Sequence, residues 1–531
     1  MSPDSSMVTE PTGTSLQRLA EASWPRIGDE SVLIFEEHHW TVSQLAERVR
    51  RLASGLRDIG LRPGDRVVVC MSNCPEVGVT YQAVWHCGGV VTPALFLLSE
   101  DELRHVLTDS GAVLVVTTPE FLPKVTAAAT GGPAALRAVV VADPATPPPA
   151  APGRDRRGGP PLIAFSTLET GPEARVIDSD PASAAALMYT GGTTGQAKGV
   201  LLSHDALSCA AWSVVNAGLE DGDDAPRMPT LLLPLPLAHA YGLMITVAGV
   251  HTPRPRTTVL MRWFDPVRFL DLAEKHRVEA TALVPSMLQL LLQQPLEERD
   301  LVLERVGCGA APLPRETAEA FSRRVPGAEI DEGYGCTETG GIISATPRGR
   351  SRPGSVGLPV AAARVRIERP DGSAAETGED GEICVQGPVL MTEYWRAEEE
   401  TAHALRGGWL HTGDVGRVDA DGYLYVVDRI KDLIIRGGFN IYPRDVEEVL
   451  LTHPDVLGAA VIGRPDPTYG EEVVAYVQLR PDAETTADDV TAFAKEHLSS
   501  AKYPRDVRIV DQIPLTSVGK IDRRRLRRST F

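Results

Sequence analysis

From residue 40 onward the apolar positions follow two alternating periods. Leu45, Val49, Leu52, Leu56 and Ile59 recur at helical spacing, and Thr41 with Gln44 three residues later forms a capping box that opens this helix. The turn Leu61-Arg62-Pro63-Gly64-Asp65 ends it, and Val67–Cys70 reads as a buried strand. The same unit returns downstream, where Asp265 caps a helix, Pro266 takes its first position and Val278–Val284 reads as the next strand. Helices alternating with fully apolar strands predict parallel sheets covered on both faces, an α/β fold.

The rhythm breaks in two places. Residues 144–161, PATPPPAAPGRDRRGGPP, cannot pack and are expected to form an exposed, mobile surface loop. After residue 355 the helical period fades, and turn signals at Asp371-Gly372, Asp380-Gly381 and Asp421-Gly422 separate short runs such as Glu382–Val385 and Tyr423–Val427. That pattern predicts a small antiparallel sheet or barrel. The final hundred residues return to mixed α/β and end in Arg523-Arg524-Arg525-Leu526-Arg527-Arg528, expected to be a solvated helix face or tail. No repeat of solenoid period is present.

Composition narrows the function. With 531 residues the chain has room for three or four domain-sized pieces. Its 53 Lys+Arg against 71 Asp+Glu leave a net charge of −18, a field that repels phosphate backbones, so no nucleic-acid partner is expected. One local basic pocket for a nucleotide remains compatible with it. Seven cysteines (Cys70, Cys74, Cys87, Cys209, Cys308, Cys336, Cys384) lack any CxxC pair, which argues for a reducing compartment and against a disulfide frame or structural zinc. The opening MSPDSSMVTEPTGTS has no basic–apolar leader pattern, so a cytoplasmic protein is expected. Leu231–Val250 is uncharged and long enough to span a bilayer. Pro234 and Pro236 break any helix near its start, however, and a buried strand–loop–helix segment is expected instead.

Tyr189–Val200, YTGGTTGQAKGV, is the strongest local signal. Glycines let backbone N–H groups turn toward an anion, threonine hydroxyls add donors and Lys198 adds charge, so the loop reads as a phosphate cradle. It is not a Walker A loop, because Lys198 precedes Gly199 and a strand-like run rather than following the last glycine into a helix.

The loop resembles the phosphate-binding signature of the adenylate-forming superfamily, which includes acyl- and aryl-CoA synthetases, luciferase and peptide-synthetase adenylation domains. Five further segments follow in that family's order: Tyr334-Gly335-Cys336-Thr337-Glu338-Thr339, His411-Thr412-Gly413-Asp414, Asp428-Arg429-Ile430-Lys431, Arg436-Gly437-Gly438-Phe439-Asn440-Ile441-Tyr442-Pro443 and Pro514-Leu515-Thr516-Ser517-Val518-Gly519-Lys520. The likeness runs from about residue 30 to 525, and one departure is Ala197, where the family commonly has proline before the lysine. It implies a large N-terminal domain of two α/β subdomains plus a small β-barrel (1–428), a hinge (429–432) and a smaller, mobile α+β C-terminal domain (433–531).

It also implies roles. ATP, Mg²⁺ and coenzyme A are the expected small molecules. Thr190, Gly191, Gly192, Thr193, Thr194 and Lys198 are expected to cradle the β- and γ-phosphates, with Thr337 a donor to the α-phosphate and Glu338 the Mg²⁺ ligand. Gly309, Ala310, Ala311, Asp331, Glu332, Gly333, Tyr334, Gly335 and Cys336 are expected around the nucleotide, with Asp414 and Arg429 at the ribose. Lys520 is expected to bridge carboxylate and α-phosphate during adenylation, and Lys431 to be the pivot that later brings Gly437, Gly438 and Phe439 to the thiol.

His239, Tyr241, Gly309, Gly335, Gly340 and Gly341 are expected to line the acid pocket, with His239 beside the carboxylate. Leu231–Val250 holds no aspartate for an α-ammonium and no Lys or Arg for a second carboxylate, and Val284–Met287 and Gly340–Ile342 add small or apolar walls. A small-molecule carboxylic acid, uncharged elsewhere and fairly bulky, is therefore expected. An acid–CoA ligase is the leading reading. Transfer to another acceptor, such as a carrier protein or partner ligase, is the second, with a luciferase-like oxygenase and a non-catalytic nucleotide-binding regulator behind it. A homodimer is also considered.

Overall fold

Local chemistry starts the helices where the sequence places them. In the computed structural model, Thr41 Oγ1 accepts from the Gln44 N–H at 3.3 Å while the Gln44 side chain accepts from the Thr41 N–H at 3.0 Å, opening the helix Val42–Asp58. Its Val49, Leu52 and Leu56 face is buried. Asp265 Oδ1 likewise accepts from the Arg268 N–H at 2.8 Å, and Pro266 begins Pro266–Lys275. The structure describes residues 11–130, 135–143, 159–190, 197–217, 227–481, 483–516 and 520–528. Residues 144–158 of the proline-rich stretch lie outside these, as do 191–196 of the glycine loop and 517–519 before Lys520.

Two large sheets form the N-terminal part. One has eight strands: Arg66–Cys70, Val90–Pro93, Leu114–Thr117, Ala138–Val141 and Leu162–Ala164 run parallel, and Ala184–Thr190 leads by a hairpin into Lys198–Ser203, with Glu393–Tyr394 at the edge. The other has nine. Its parallel centre is Leu231–Leu233, Thr258–Leu260, Ala280–Leu283, Arg305–Cys308 and Glu329–Tyr334, with antiparallel pairs at both edges. The suspect segment Leu231–Val250 resolves into the buried strand Leu231–Leu233, a loop and the helix Ala240–Ala248. Among the described residues no helix is long and apolar enough to cross a membrane.

Arg364–Glu368, Gly381–Gln386, Leu410–Val418 and Leu424–Arg429 form the small antiparallel unit. Among the described residues it is a four-stranded antiparallel sheet with no ladder joining its first and last strands. The smaller C-terminal domain pairs Phe439–Ile441, Ile434–Arg436, Gly470–Leu479 and Val456–Asp466, adds Asp506–Ile509 in parallel, and packs helices Pro443–Leu451 and Ala487–His497 on them. The arginine run is a helix, Arg523–Arg528, but not wholly a solvated one. Leu526 is buried, and Arg523 donates to Glu447 Oε1 at 2.6 Å, a carboxylate that also holds the Val461 N–H at 2.7 Å.

Candidate active site

The parallel strands of the nine-stranded sheet end on one rim. Glu329–Tyr334 delivers Tyr334 there; its hydroxyl donates to Asp414 Oδ2 at 2.6 Å, and Asp414 Oδ1 pairs with Arg429 Nε at 2.8 Å. Asp414 is buried and its turn is braced. Its N–H donates to Thr412 Oγ1 at 3.1 Å, and Glu382 accepts from the Gly413 N–H at 3.1 Å and pairs with His411 Nδ1 at 2.8 Å. Burial, then the neighbouring Asp414 charge, holds the Tyr334 phenol well above its ordinary pKa, and Asp414 raises that of Arg429.

After Tyr334 the chain turns sharply. A Cβ on Gly335 would stand 2.4 Å from the Gly341 carbonyl oxygen, so only glycine fits. Thr337–Thr339 make a single 3₁₀ turn that ends in left-handed Gly340. Glu338 is held by the Tyr394 hydroxyl, which donates to its Oε1 at 2.8 Å. Tyr394 is a site residue that sequence reasoning missed: it lies on the edge strand that pairs with Val200 and Leu201, and no local pattern marks it. Ala310 follows Gly309 with φ of 67°, a left-handed conformation uncommon for a residue with a Cβ and concentrated at functional loops.

Thr190 and Lys198 pair directly at the ends of two antiparallel strands; Gly191, Gly192, Thr193 and Thr194 lie outside the described residues. The Lys198 ammonium is 3.4 Å from Glu400 and lies over the Tyr394 ring. Asp331 Oδ2 pairs with Arg305 on the adjacent strand, and its Oδ1 is buried with no partner among the described residues. Burial pushes Asp331 up to about 6 and Glu332 up to about 7, in the latter case against the pull of Arg444.

His239 caps the helix Ala240–Ala248, its Nδ1 accepting from the Tyr241 N–H at 3.4 Å. Burial, then the nearby Lys520 ammonium, lowers its pKa to about 4, so the ring is neutral at ordinary pH and carries its proton on Nε2. Lys520 reaches this rim from the C-terminal domain. A bridge between Leu515 and Ile521 and the Lys520 N–H to Thr516 Oγ1 bond (3.2 Å) present it. Burial first, then Arg429, lowers its pKa, while Asp414, Cys336 and Glu338 oppose that shift.

The two domains meet at the same place. Arg444 donates from its N–H to Asp428 Oδ2 at 3.1 Å and from its guanidinium to the Val426 carbonyl at 2.7 Å. Lys431 lies in the 3₁₀ turn Ile430–Asp432, its pKa drawn down to about 8 by partial burial and then by Arg429. Gly437 and Gly438, both with positive φ, make the two-residue turn between Ile434–Arg436 and Phe439–Ile441. That hairpin tip is exposed to solvent, with Phe439 64% accessible, and is not part of the cluster around Lys520.

Residues 20–395 match the model of the AMP-binding enzyme family and 445–520 that of the AMP-binding enzyme C-terminal domain. The chain belongs to the AMP-binding enzyme family, the adenylate-forming group its motifs resemble. A feruloyl-CoA synthase of Amycolatopsis sp is 36% identical over 492 residues, covering 92% of this chain and 93% of that protein. A long-chain-fatty-acid–CoA ligase of Bacillus subtilis is 33% identical over 536 residues, covering 96% and 94%. The amide bond synthetase McbA from Marinactinospora thermotolerans superposes with a TM-score of 0.83 at 30% identity, covering 96% of this chain and 99% of that one.

Proposed function

We propose that the protein is an AMP-forming acid–CoA ligase that activates a fatty, aryl or cyclic carboxylic acid as its acyl-AMP and passes the acyl group to coenzyme A. A carboxylate is a poor electrophile because oxide is a poor leaving group. In the first step a carboxylate oxygen attacks the α-phosphorus of ATP and pyrophosphate departs. In the second the CoA thiolate attacks the acyl carbon and AMP departs. The observation that carries this reading is the convergence of Lys520, from the C-terminal domain, with His239, Asp414, Arg429 and Glu338 at one sheet rim.

Each residue has a part that its surroundings support. Lys520 stabilises the charge that develops between carboxylate and α-phosphate, and Thr337 donates to that phosphate. Neutral His239, its Nδ1 occupied, offers Nε2–H to the carboxylate. Asp414, paired with Arg429, accepts from the ribose hydroxyls while Tyr334 faces the base. Glu338, one carboxylate next to a phosphate path, suits Mg²⁺, which neutralises phosphate charge when bound. Thr190 and Lys198 flank the glycine loop expected to hold the β- and γ-phosphates, and Gly309, Gly335, Gly340, Gly341 and Tyr241 wall the acid pocket.

Domain rotation links the half-reactions. We place its boundaries at 1–428, 429–432 and 433–531, with Lys431 as pivot. The exposed Gly437-Gly438 turn with Phe439 would then replace Lys520 and admit the pantetheine thiol. Seven free thiols, six of them buried, support a reducing cytoplasmic setting. A second reading keeps the adenylation and gives the acyl group to another acceptor; the likeness to an amide bond synthetase favours keeping it in view. Mass spectrometry of products from ATP, Mg²⁺ and a panel of acids, with and without CoA, decides between them. The ligase reading expects acyl-AMP and a CoA thioester, and acyl-AMP without any thioester would overturn it.

A further inference from the structure

The end of the acid pocket remote from Lys520 holds a cation that the proposed chemistry does not use. The parallel strands alternate between two cores. Leu232, Val259, Leu283 and Val306 enter one, while Leu233 and Leu260 face the other, where helix Ala240–Ala248 packs. On that second side the neighbouring positions are small. Ala282 is in register with Gly307 and Asp331, and Gly309 and Gly333 lie one step nearer the reactive rim. A Cβ built on Gly307 would meet only the Thr281 carbonyl of the neighbouring strand, an ordinary contact at 3.6 Å, so no side chain crowds the sheet face there.

Two arginines close the far end of this slot. Arg305, which opens its strand, is neutralised by Asp331. Arg256 comes two residues before the strand Thr258–Leu260. The Pro255 and Thr257 carbonyls accept from Met228 and Leu231, so the extended alignment reaches back past Arg256 and alternation puts its side chain on the Leu260 side. There it lies within electrostatic range of the Tyr241 phenol and of Arg305. Its Nε is buried without a hydrogen-bond partner, and among the described residues it has no ion pair. Arg256 as a whole is half-buried, and an oxygen acceptor brought to its unpartnered Nε gains charge-assisted hydrogen bonds there. From Gly309 back to Arg305 is four strand residues, about 13 Å at roughly 3.3 Å each.

We propose that Arg256 reads the far end of the acid. On this inference, which rests on the acid-activating reading above, the substrate is a bulky, mostly apolar acid bearing an oxygen acceptor about 10 Å or more from the carboxylate that is activated. Hydroxyl, carbonyl and second carboxylate share that chemistry. No arginine or lysine within Leu231–Val250 announced this residue; strand register supplies it from outside that segment.

The test measures acid-dependent pyrophosphate release for matched acids of roughly ten carbons: a bare monoacid, its ω-hydroxy and ω-oxo forms, and the dicarboxylic acid. Aryl acids with and without a para oxygen extend the set. The wild-type protein should favour an oxygen-bearing member over its bare counterpart by about a hundredfold in kcat/KM. Whether the neutral or the ionised member leads identifies the acceptor. Arg256→Met should bring that ratio close to one, mainly through KM, and Arg256→Lys should keep part of it. Retention of the ATP-induced thermal shift shows that each variant is folded. Equal handling of bare and oxygenated acids by the wild type overturns the inference, as does an unchanged preference in folded Arg256→Met. If no acid elicits pyrophosphate, the acid-activating reading falls and this inference with it.

Discussion

Glu332 and Gly335 bracket Tyr334 and limit it in different ways. Burial raises the Glu332 carboxyl to about 7, so the folded protein holds a proton there that the unfolded chain releases near 4.3. Its contribution is therefore full below the unfolded value and is lost as pH rises toward and through 7. Glu332→Gln removes that loss. We expect a gain of roughly 2 kcal/mol at pH 8 and almost none below pH 4.5, read as a Tm difference by differential scanning fluorimetry. Equal effects at the two pH values would contradict the assignment. Gly335→Ala acts through sterics, because its Cβ would press against backbone 2.4 Å away and push Thr337 and Glu338 out of line. A displacement of that kind costs about a hundredfold in acid-dependent pyrophosphate exchange, with ATP still stabilising the protein.

Among elements, the C-terminal helix depends on one buried pair. Arg523→Leu leaves the Glu447 carboxylate buried beside Val461 without its cation, a change expected to destabilise the C-terminal domain by about 3–5 kcal/mol. Hydrogen exchange along Val456–Asp466 should then accelerate, and Glu447→Leu in the same chain should restore much of the protection. At this scale the sequence is legible where partners lie within a turn. Thr41 with Gln44 and Asp265 with Pro266 set helix starts through contacts three residues long. Turn signals likewise marked short strands after residue 355 but not how they pair, because pairing joins distant segments. The arginine run misled for the same reason: Glu447 lies 76 residues from Arg523, and composition alone makes such a run look solvated. Tyr394 against Glu338 and Arg256 behind Tyr241 were hidden too, because each is placed by strand register rather than by a motif.

At the scale of the whole molecule, a body of net charge −18 gathers Lys520, Arg429 and Lys431 at the junction of its domains. Such a local positive field suits a polyphosphate within an otherwise acidic surface. The motifs that build the junction were legible because their chemistry is carried by the residues themselves. Their convergence was not, since Lys520 lies 106 positions (520 − 414) from Asp414 and meets it only when the domains dock. Lys431→Pro fixes the backbone at the proposed pivot. Acyl-AMP formation should survive in this variant while thioester formation falls by about a hundredfold, measured as separate half-reactions; equal rates for both would remove the case for rotation.

The docked position of Lys520 is tested most directly by acid-dependent exchange of labelled pyrophosphate into ATP, wild type against Lys520→Ala, alongside thioester formation from supplied acyl-AMP and CoA. Exchange should drop by about a hundredfold or more while the thioester reaction is largely kept. Undiminished exchange, or the same loss in both reactions, would contradict a lysine that serves only the first step.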